Sequence, residues 1–266
     1  MEKKRIGLLC ICLNPHYWEF AHEMLTGVRM FFLKDHQTDI FLWSDMPEGT
    51  VKGEGITVFP TEPIEWPLPT LLRYNLFLQQ EEKLQDYDYL FYIDVDMRIV
   101  DWIGDEILGE GLTAAQHPMY ALRHNLYPPY EPNPASTAYI PLPGKATELA
   151  DGKKLFQQYY YAGGFQGGRT KDFIEAMKVM RKRIETDFNK NYIARWNDES
   201  HWNRFLYENP PAVVLSPSYI YPDSLIAEYY VKVWGRNYSP KIITITKKFS
   251  ISKEAGKDVA QQLATM

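Results

Sequence analysis

Short apolar runs that alternate with amphipathic segments are the feature that most constrains the fold of this chain. The run RIGLLCICL at 5–13 is almost wholly apolar, as in a strand that is covered on both faces. A helical pattern follows at 17–33, and strand patterns recur at 39–43, 56–59 and 87–93. Strands separated by helices predict a parallel sheet of the α/β class in this part of the chain.

The rest of the chain is organised less regularly. Helical patterns are predicted at 73–84, 171–190 and 198–209, and a strand is expected within 212–221. The proline-rich stretch at 126–145 indicates an extended excursion rather than a linker between domains.

Two carboxylates, Asp94 and Asp96, follow the apolar strand pattern at 87–93. Open α/β sheets bind ligands outside the carboxyl ends of their strands. Hard cations such as Mg²⁺ and Mn²⁺ prefer oxygen ligands and often share them with substrate phosphates. The pair therefore indicates either a metal and diphosphate site or a solvated, polar strand end.

The charge distribution argues against nucleic acid as a partner. The 266 residues carry a formal net charge of −5, whereas nucleic-acid-binding domains are usually basic. Between 231 and 257, however, seven residues are Lys or Arg and one is Glu. This basic tail is either a solvated terminus or a segment that folds over a bound anionic group.

The cysteines and the N-terminal run predict the compartment. On a strand, Cys10 and Cys12 would share a face with their Cβ atoms too far apart for easy bridging, so we expect free thiols. Free thiols are typical of a reducing compartment. The N-terminal apolar run is too short for a membrane span and lacks a small-residue cleavage site. We therefore predict a cytoplasmic protein without a transmembrane segment.

Three stretches in the second half contain candidate functional residues. The four glycines of YYAGGFQGG at 160–168 match no nucleotide-binding pattern and suit either tight turns or close approach to a flat ligand. Asp198 and Glu199 begin a helix, where carboxylates are ordinary dipole partners but can also act as base, nucleophile or cation stabiliser. His117 either caps a loop or binds a ligand.

Six stretches, in order, resemble one enzyme family: YLFYIDVDM, QHPMY, EPNPASTAYIP, YYAGGFQGG, WNDESHWNRFL and LSPSYIY. The chain resembles the retaining α-1,3-galactosyl- and N-acetylgalactosaminyltransferases of family 6, which include the histo-blood-group A and B transferases. The resemblance implies a single GT-A domain over 1–266. It would comprise a nucleotide-sugar-binding half at about 1–110, an acceptor-binding and catalytic half at about 111–240, and the basic tail at 241–266.

The resemblance also implies an activity, which is transfer of GalNAc or Gal from its UDP-sugar to the 3-OH of a β-galactoside with retention of the α configuration. A fucosylated galactoside is one candidate acceptor. Asp94 and Asp96 match the Asp-x-Asp motif that holds Mn²⁺, with Mg²⁺ as the alternative, against the diphosphate. Glu199 matches the catalytic carboxylate, and it is joined on the acceptor side by matches at His117 and Trp196.

A larger set of residues matches the family's donor-binding positions. It comprises a uridine-contacting segment, a supporting Arg, the metal-binding pair, the sugar-selecting segment, a carboxylate beside the catalytic one and basic residues of the tail: Ile11, Cys12, Leu13, Tyr17, Arg73, Asp94, Asp96, Ala162, Gly163, Gly164, Asp198, Lys248 and Lys253. At the position of Gly164, relatives that use GalNAc carry Gly and those that use Gal carry Ala. The resemblance therefore predicts a GalNAc donor.

Departures from the family pattern refine this prediction. Vertebrate members carry an N-terminal membrane anchor and stem, whereas this chain begins at the catalytic domain and resembles anchorless bacterial or phage-type members. Many bacterial members carry Asn-x-Asn and need no metal, but this chain keeps Asp94 and Asp96, so we expect metal dependence. The ending of LSPSYIYP, with Pro222 and Asp223, lacks the usual Trp-Asp pair.

Two other classes remain open on the residues alone. A non-catalytic carbohydrate- or nucleotide-sugar-binding protein would explain the 15% aromatic residues, yet it needs no Asp pair combined with a distant basic tail. A metal-dependent phosphohydrolase also uses paired carboxylates, but it usually requires further acidic or His ligands nearby. Metal-dependent release of UDP from a UDP-sugar separates the transferase from the binding protein.

Overall fold

A computed structural model describes residues 2–121, 128–141, 159–223 and 238–245, together with the backbone of two short strands between them. The strands of the described chain are β1 Arg5–Cys12, β2 Gln37–Ser44, β3 Ile56–Pro60, β4 Tyr89–Ile93, β5 Met97–Ile99, β6 Leu112–Gln116, β7 Thr147–Glu148, β8 Lys154–Leu155, β9 Tyr161–Arg169, β10 Val213–Leu215, β11 Tyr221–Pro222 and β12 Ile242–Thr244. The α-helices are α1 Pro15–Phe31, α2 Leu68–Leu71, α3 Arg73–Leu78, α4 Glu81–Leu84, α5 Thr170–Phe188 and α6 Asn197–Glu208. Two 3₁₀ helices cover Asp105–Ile107 and Pro217–Ile220.

The central sheet has seven strands in the order β10-β6-β9-β4-β1-β2-β3. Neighbouring strands are parallel except at β9, which runs antiparallel to both β4 and β6. A small sheet in the order β11-β12-β5 lies beyond the end of β4, and β7 pairs with β8. The predicted α/β class is confirmed, and the parallel strands β1 to β4 lie where the apolar runs indicate.

The run that forms β1 is apolar throughout because helices cover both faces of the sheet. Leu9 and Ile11 belong to the core that contains α3, α5 and α6, whereas Leu8, Cys10 and Cys12 belong to the core beneath α1. Side chains along a strand alternate between faces, so neither face of β1 tolerates a polar residue. The two cysteines share a face, and both are buried free thiols as expected.

The structure corrects two local predictions, and it confirms a third, the strand expected within 212–221, over a shorter range. The helix expected at 73–84 is divided into α3 and α4, since the chain turns at Gln79 and the Gln80 N–H donates to the Phe77 carbonyl at 3.0 Å. The stretch at 212–221 forms the short strand β10 followed mainly by a 3₁₀ helix. The glycine-rich stretch is the central strand β9 rather than a set of turns.

Close packing of strand backbones explains the glycines at the end of β9. Gly168 has a φ of +136°, and a Cβ there would lie 2.3 Å from the carbonyl oxygen of Gly111. A Cβ at Gly167 would lie 2.5 Å from the carbonyl oxygen of Leu90. Only glycine fits where two neighbouring strands approach this closely.

None of the helices in the described part of the chain combines the length and apolar character that a transmembrane span requires.

Gly168→Ala is expected to lower the free energy of unfolding by about 2–4 kcal/mol, since the new methyl group meets backbone atoms that cannot move aside. Urea unfolding followed by circular dichroism measures the change. Gly111→Ala is the control, because its Cβ would meet only the Cβ of Ala212, at 3.2 Å. Equal stability of the Gly168→Ala variant and the wild type would contradict the packing described above.

Candidate active site

The predicted site residues converge on one edge of the central sheet. The β1–β4 register pairs Leu9 with Tyr92, so the carboxyl ends of these two strands lie side by side. β6 ends at the same edge, and β9 begins there because it is antiparallel. This edge is where α/β sheets bind their ligands.

The segment after β1 forms one part of this edge. The side chains of Ile11, Cys12 and Leu13 are buried in the core. Tyr17 lies in the first turns of α1, where its carbonyl accepts a hydrogen bond from the Cys12 thiol at 3.5 Å. Because these three side chains are committed to packing, a nucleotide would meet mainly the backbone of this segment.

Asp94 and Asp96 are half-buried in the turn between β4 and β5. The Asp94 N–H donates to the Gly164 carbonyl at 3.0 Å. Tyr92 donates its hydroxyl hydrogen to Oδ1 of Asp94, and an Arg73 nitrogen lies 3.7 Å from the same oxygen. The Asp96 carbonyl accepts the Ile245 N–H at 2.9 Å, which joins this turn to the small sheet.

The carboxylates of Asp94 and Asp96 are ligands of the type that a hard divalent cation prefers. A Cβ at Gly164 would lie 2.2 Å from Cε of Met97 and 2.6 Å from Oδ2 of Asp94, so the glycine permits close packing of β9 against the turn that contains Asp94. Within the described residues, no three His, Cys, Asp or Glu side chains cluster in a metal-binding group. A cation held by Asp94 and Asp96 would therefore take its remaining ligands from substrate oxygens or water, as Mg²⁺ commonly does.

Arg73 is the buried cation of the site, with 4% of its surface exposed. Its guanidinium contacts Oδ2 of Asp198 at 3.1 Å and the Gly163 carbonyl at 3.3 Å. The same group lies over the ring of Tyr92, at 4.2 Å from the ring centre. Burial alone would lower the pKa of Arg73, but the charges of Asp198 and Asp94 and the Tyr92 ring raise it on balance.

Burial raises the pKa of Asp198 to about 6, with Arg73 opposing this rise and the Asp94 charge adding to it. At neutral pH, Asp198 is therefore ionised and forms an ion pair with Arg73.

Glu199 follows Asp198 in the first turn of α6 and has two hydrogen-bond donors. The Tyr160 hydroxyl donates to Oε1 at 2.7 Å, and the Gly163 N–H donates to Oε2 at 2.7 Å. Burial raises the pKa of Glu199 to about 7, whereas these two hydrogen bonds act in the opposite direction. The carboxylate is thus held in one orientation and is close to its titration midpoint at neutral pH.

The residues assigned to the acceptor side are connected to Glu199, His117 through the ring of Tyr160 and Trp196 through its carbonyl, which accepts the Glu199 N–H at 3.0 Å. His117 contacts the ring of Tyr160, with 5.8 Å between ring centres, and burial lowers its pKa to about 4. Its Nδ1 accepts the Met119 N–H at 3.2 Å, so the neutral ring carries its hydrogen on Nε2. Trp196 immediately precedes α6, and 46% of its surface is exposed. An exposed Trp beside a carboxylate is a suitable surface for stacking a sugar ring.

Ala162, Gly163 and Gly164 lie in β9, between the Asp pair and α6. A Cβ at Gly163 would lie 3.0 Å from the Cβ of Glu199, so this glycine permits close contact between the strand and the helix. Lys248 and Lys253 lie outside the described residues, as does most of the basic tail.

Several residues of the site were missed by the sequence analysis. Tyr92 donates to Asp94, and Tyr160 donates to Glu199. Gln166 and Asn203 are buried amides that join β9 to α6. Gln166 is the residue that the sequence could have revealed, because a lone amide within a buried glycine-rich strand needs hydrogen-bond partners.

The mixed sheet with carboxylates at its ligand-binding edge is consistent with a single glycosyltransferase domain of the GT-A class. The family model described as Glycosyltransferase family 6 matches residues 1–237, and the chain belongs to this family. The resemblance found in the six sequence motifs is thereby confirmed.

Named relatives are similar over most of the chain. The O-antigen biosynthesis glycosyltransferase WbnI of Escherichia coli is 31% identical over 245 residues, which cover 91% of this chain and 95% of the relative. The globoside alpha-1,3-N-acetylgalactosaminyltransferase 1 of Gallus gallus is 30% identical over 82% of this chain and 62% of its own length. The histo-blood group ABO system transferase 1 of Rattus norvegicus is 28% identical, with 85% and 63% covered. The chain thus spans less than two thirds of these two vertebrate proteins.

Glu199→Gln is expected to stabilise the protein near pH 8 by about 1–3 kcal/mol and to change little near pH 4.5. In the folded state the pKa of Glu199 is about 7, above the ordinary value of 4.5, so the free energy of unfolding of the wild type falls as pH rises through this window. A neutral amide at this position avoids that loss. It can accept the Gly163 N–H and donate to Tyr160.

Urea unfolding at the two pH values measures this difference. The exposed Glu82→Gln substitution serves as the matched control. A stability difference that is the same at both pH values would show that the buried carboxyl does not titrate as stated.

Proposed function

We propose that this protein is a retaining glycosyltransferase that moves GalNAc, or less efficiently Gal, from its UDP-sugar to the 3-OH of a β-galactoside. The observation that carries this proposal is the placement of Glu199 on the same sheet edge as Asp94 and Asp96, with the Gly163 N–H donating to it. This edge thus brings together an Asp pair that could hold a cation against a diphosphate and a carboxylate, that of Glu199, that could act at an anomeric carbon. Similarity to transferases named for α-1,3-N-acetylgalactosaminyl transfer supports the donor class.

In this proposal, Asp94 and Asp96 would hold Mn²⁺ or Mg²⁺ against the diphosphate of the donor. When bound, such a cation acts as a Lewis acid that stabilises the charge of the departing UDP. Arg73 stabilises the surroundings of the Asp pair, since it forms an ion pair with Asp198 and lies near Asp94. Closing of the basic tail over the donor would exclude water from the site, and the part of this tail from 246 onward lies outside the described residues.

Glu199 acts on the sugar. Positive charge develops at the anomeric carbon as the bond to phosphate breaks, and an ionised carboxylate below the ring either stabilises that charge or attacks it. The hydroxyl of Tyr160 and the amide of Gly163 favour the ionised form of Glu199, and they aim its oxygens. Both routes place the acceptor 3-OH on the face that UDP leaves, which retains the α configuration.

The acceptor is proposed to lie between His117 and Trp196. The Nε2–H of His117 can donate to a sugar hydroxyl, and the exposed face of Trp196 can stack on a sugar ring. A β-galactoside, with or without fucose, is the acceptor that the resemblance to the family implies. The buried free thiols Cys10 and Cys12 support a reducing, cytoplasmic location in this proposal.

Glu199→Gln should lower the transfer rate by about 10²–10³-fold or more, because the developing positive charge loses its carboxylate. The affinity for UDP should stay near that of the wild type, since UDP lacks the sugar beside Glu199. Product formation by mass spectrometry and UDP binding by calorimetry measure the two quantities, with Glu82→Gln as the control. Near-normal transfer by the variant would refute the role of Glu199.

EDTA should abolish transfer, and added Mn²⁺ should restore it, because the diphosphate and the Asp pair repel each other without a cation. The double substitution Asp94→Asn with Asp96→Asn should lower transfer by about 10²-fold or more, in line with the loss of an electrostatic stabiliser. Rates at a series of Mn²⁺ and Mg²⁺ concentrations check both expectations. Undiminished turnover in EDTA would exclude a metal requirement.

UDP-GalNAc should be the faster donor, since Gly164 matches the position at which the resemblance to the family implies Gly for GalNAc donors. Gly164→Ala should reduce the preference for UDP-GalNAc by about tenfold or more, because the methyl group would meet Cε of Met97 and Oδ2 of Asp94, and displacing them would narrow the space for an N-acetyl group. Comparison of kcat/KM for both donors with one β-galactoside tests this proposal. Faster transfer from UDP-Gal by the wild type would overturn the assignment of the donor.

A further inference from the structure

Part of β9 does not take part in the regular pairing with β6. In the pairing with β6, Tyr161 lies opposite Gln116 and Gln166 lies opposite Ala114, so four residues of β9 face a single residue of β6. This bulge contains Ala162, Gly163 and Gly164, the segment matched to donor-sugar selection. Bulges of this kind often redirect a strand beside a functional site.

Side chains replace the missing strand partners at Gly163. Its N–H donates to Glu199, and its carbonyl accepts from Gln166 at 2.9 Å and from Arg73 at 3.3 Å. The N–H and the carbonyl of Gly163 belong to the two peptide units that flank its Cα, so groups that fix the carbonyl also restrict the neighbouring N–H that binds Glu199. A group that holds the Gly163 carbonyl therefore helps to position Glu199, together with the Tyr160 hydroxyl.

Gln166 is completely buried, and every hydrogen-bonding atom of its side chain has a partner. Its Nε2 donates to the Gly163 carbonyl and, at 3.4 Å, to Oδ2 of Asp198. Its Oε1 accepts the hydroxyl hydrogen of Tyr74 at 2.8 Å. Since Nε2 faces two acceptors and Oε1 faces a donor, only one orientation of the amide satisfies all three contacts.

Arg73 cannot replace Gln166 in this role. The guanidinium is shared among Asp198, Asp94 and the Gly163 carbonyl. Its contact with this carbonyl, at 3.3 Å, is longer than the contact of 2.9 Å that Gln166 makes with the same oxygen. Gln166 supplies a second donor to the Gly163 carbonyl and to Asp198 without adding charge, so Arg73 remains the cationic partner of Asp198. The contacts of the Gln166 amide go to Gly163, Asp198 and Tyr74, which places its influence on the sugar side of the site.

We propose that Gln166 is a positioning residue for the sugar of the donor, acting through the Gly163 carbonyl and Asp198. This inference rests on the proposed transferase function and adds to it a specificity-determining side chain. Loss of Gln166 would misplace Asp198 and Glu199 relative to the sugar, whereas the diphosphate and uridine contacts would be unaffected. Loss of Gln166 should therefore lower kcat/KM for the UDP-sugar and leave the Kd for UDP nearly unchanged.

The test compares Gln166→Met, which keeps the length but cannot hydrogen bond, with Gln166→Glu, which keeps the acceptor for Tyr74 but loses both donors. Each should lower kcat/KM for UDP-GalNAc by about tenfold or more, or about 1.4 kcal/mol per tenfold. The Kd for UDP with Mn²⁺ should stay within about twofold of the wild type. The same Gln→Met change at the exposed Gln85 is the matched control.

Tyr74→Phe keeps the test valid if both variants at position 166 fail to fold. It removes only the partner of Oε1, so the amide can rotate, and kcat/KM for UDP-GalNAc should fall by about threefold with unchanged UDP affinity. A wild-type kcat/KM in the folded variants would overturn the proposal. An equal loss of UDP affinity would also overturn it, because Gln166 would then be a general structural residue.

The failure of the proposed function is distinguishable from the failure of this inference. If the wild type transfers neither GalNAc nor Gal from UDP to any β-galactoside, the transferase assignment fails and the inference fails with it. If the wild type transfers sugar and the Gln166 variants do so equally well, the inference alone is wrong.

Discussion

The site depends on the ion pair and the hydrogen bond that the buried guanidinium of Arg73 makes. It contacts Asp198 on α6, the Gly163 carbonyl on β9 and Asp94 after β4, and so joins three elements that are distant in sequence. A buried charge is costly unless its partners satisfy it, and removing one partner leaves the others uncompensated. Arg73 therefore fixes the position of Asp198 relative to Asp94.

Two adjacent carboxylates on α6 occupy different surroundings, and this difference suits them to different roles. Asp198 pairs with Arg73 and is ionised at neutral pH, whereas Glu199 accepts neutral donors and has a pKa of about 7. The acceptor side is held in a similar manner. Glu131 is buried and accepts the Arg195 N–H at 2.6 Å, which joins the proline-rich segment to the turn that contains Trp196.

The sequence predicted strands most reliably where both faces of the sheet are covered. A strand such as β1 has no polar face, so its run of apolar residues has one simple interpretation. β9 was missed because its glycines serve close contacts with Leu90, Gly111 and Glu199, which belong to other segments. Tyr160 and Gln166 were missed as members of the site for the same reason, since Glu199, Asp198 and Tyr74, which they contact, lie 32 to 92 positions away.

The sequence by itself determined the α/β class, the carboxylates after β4 and those at the start of α6, because short-range patterns of apolar and charged residues carry this information. Only the tertiary structure decided that Asp94, Gly163 and Glu199 meet at one edge, and that Arg73 and Gln166 hold them. Burial decides which carboxylate pairs with a cation and which pKa is raised, and burial exists only after β9 and α6 pack together.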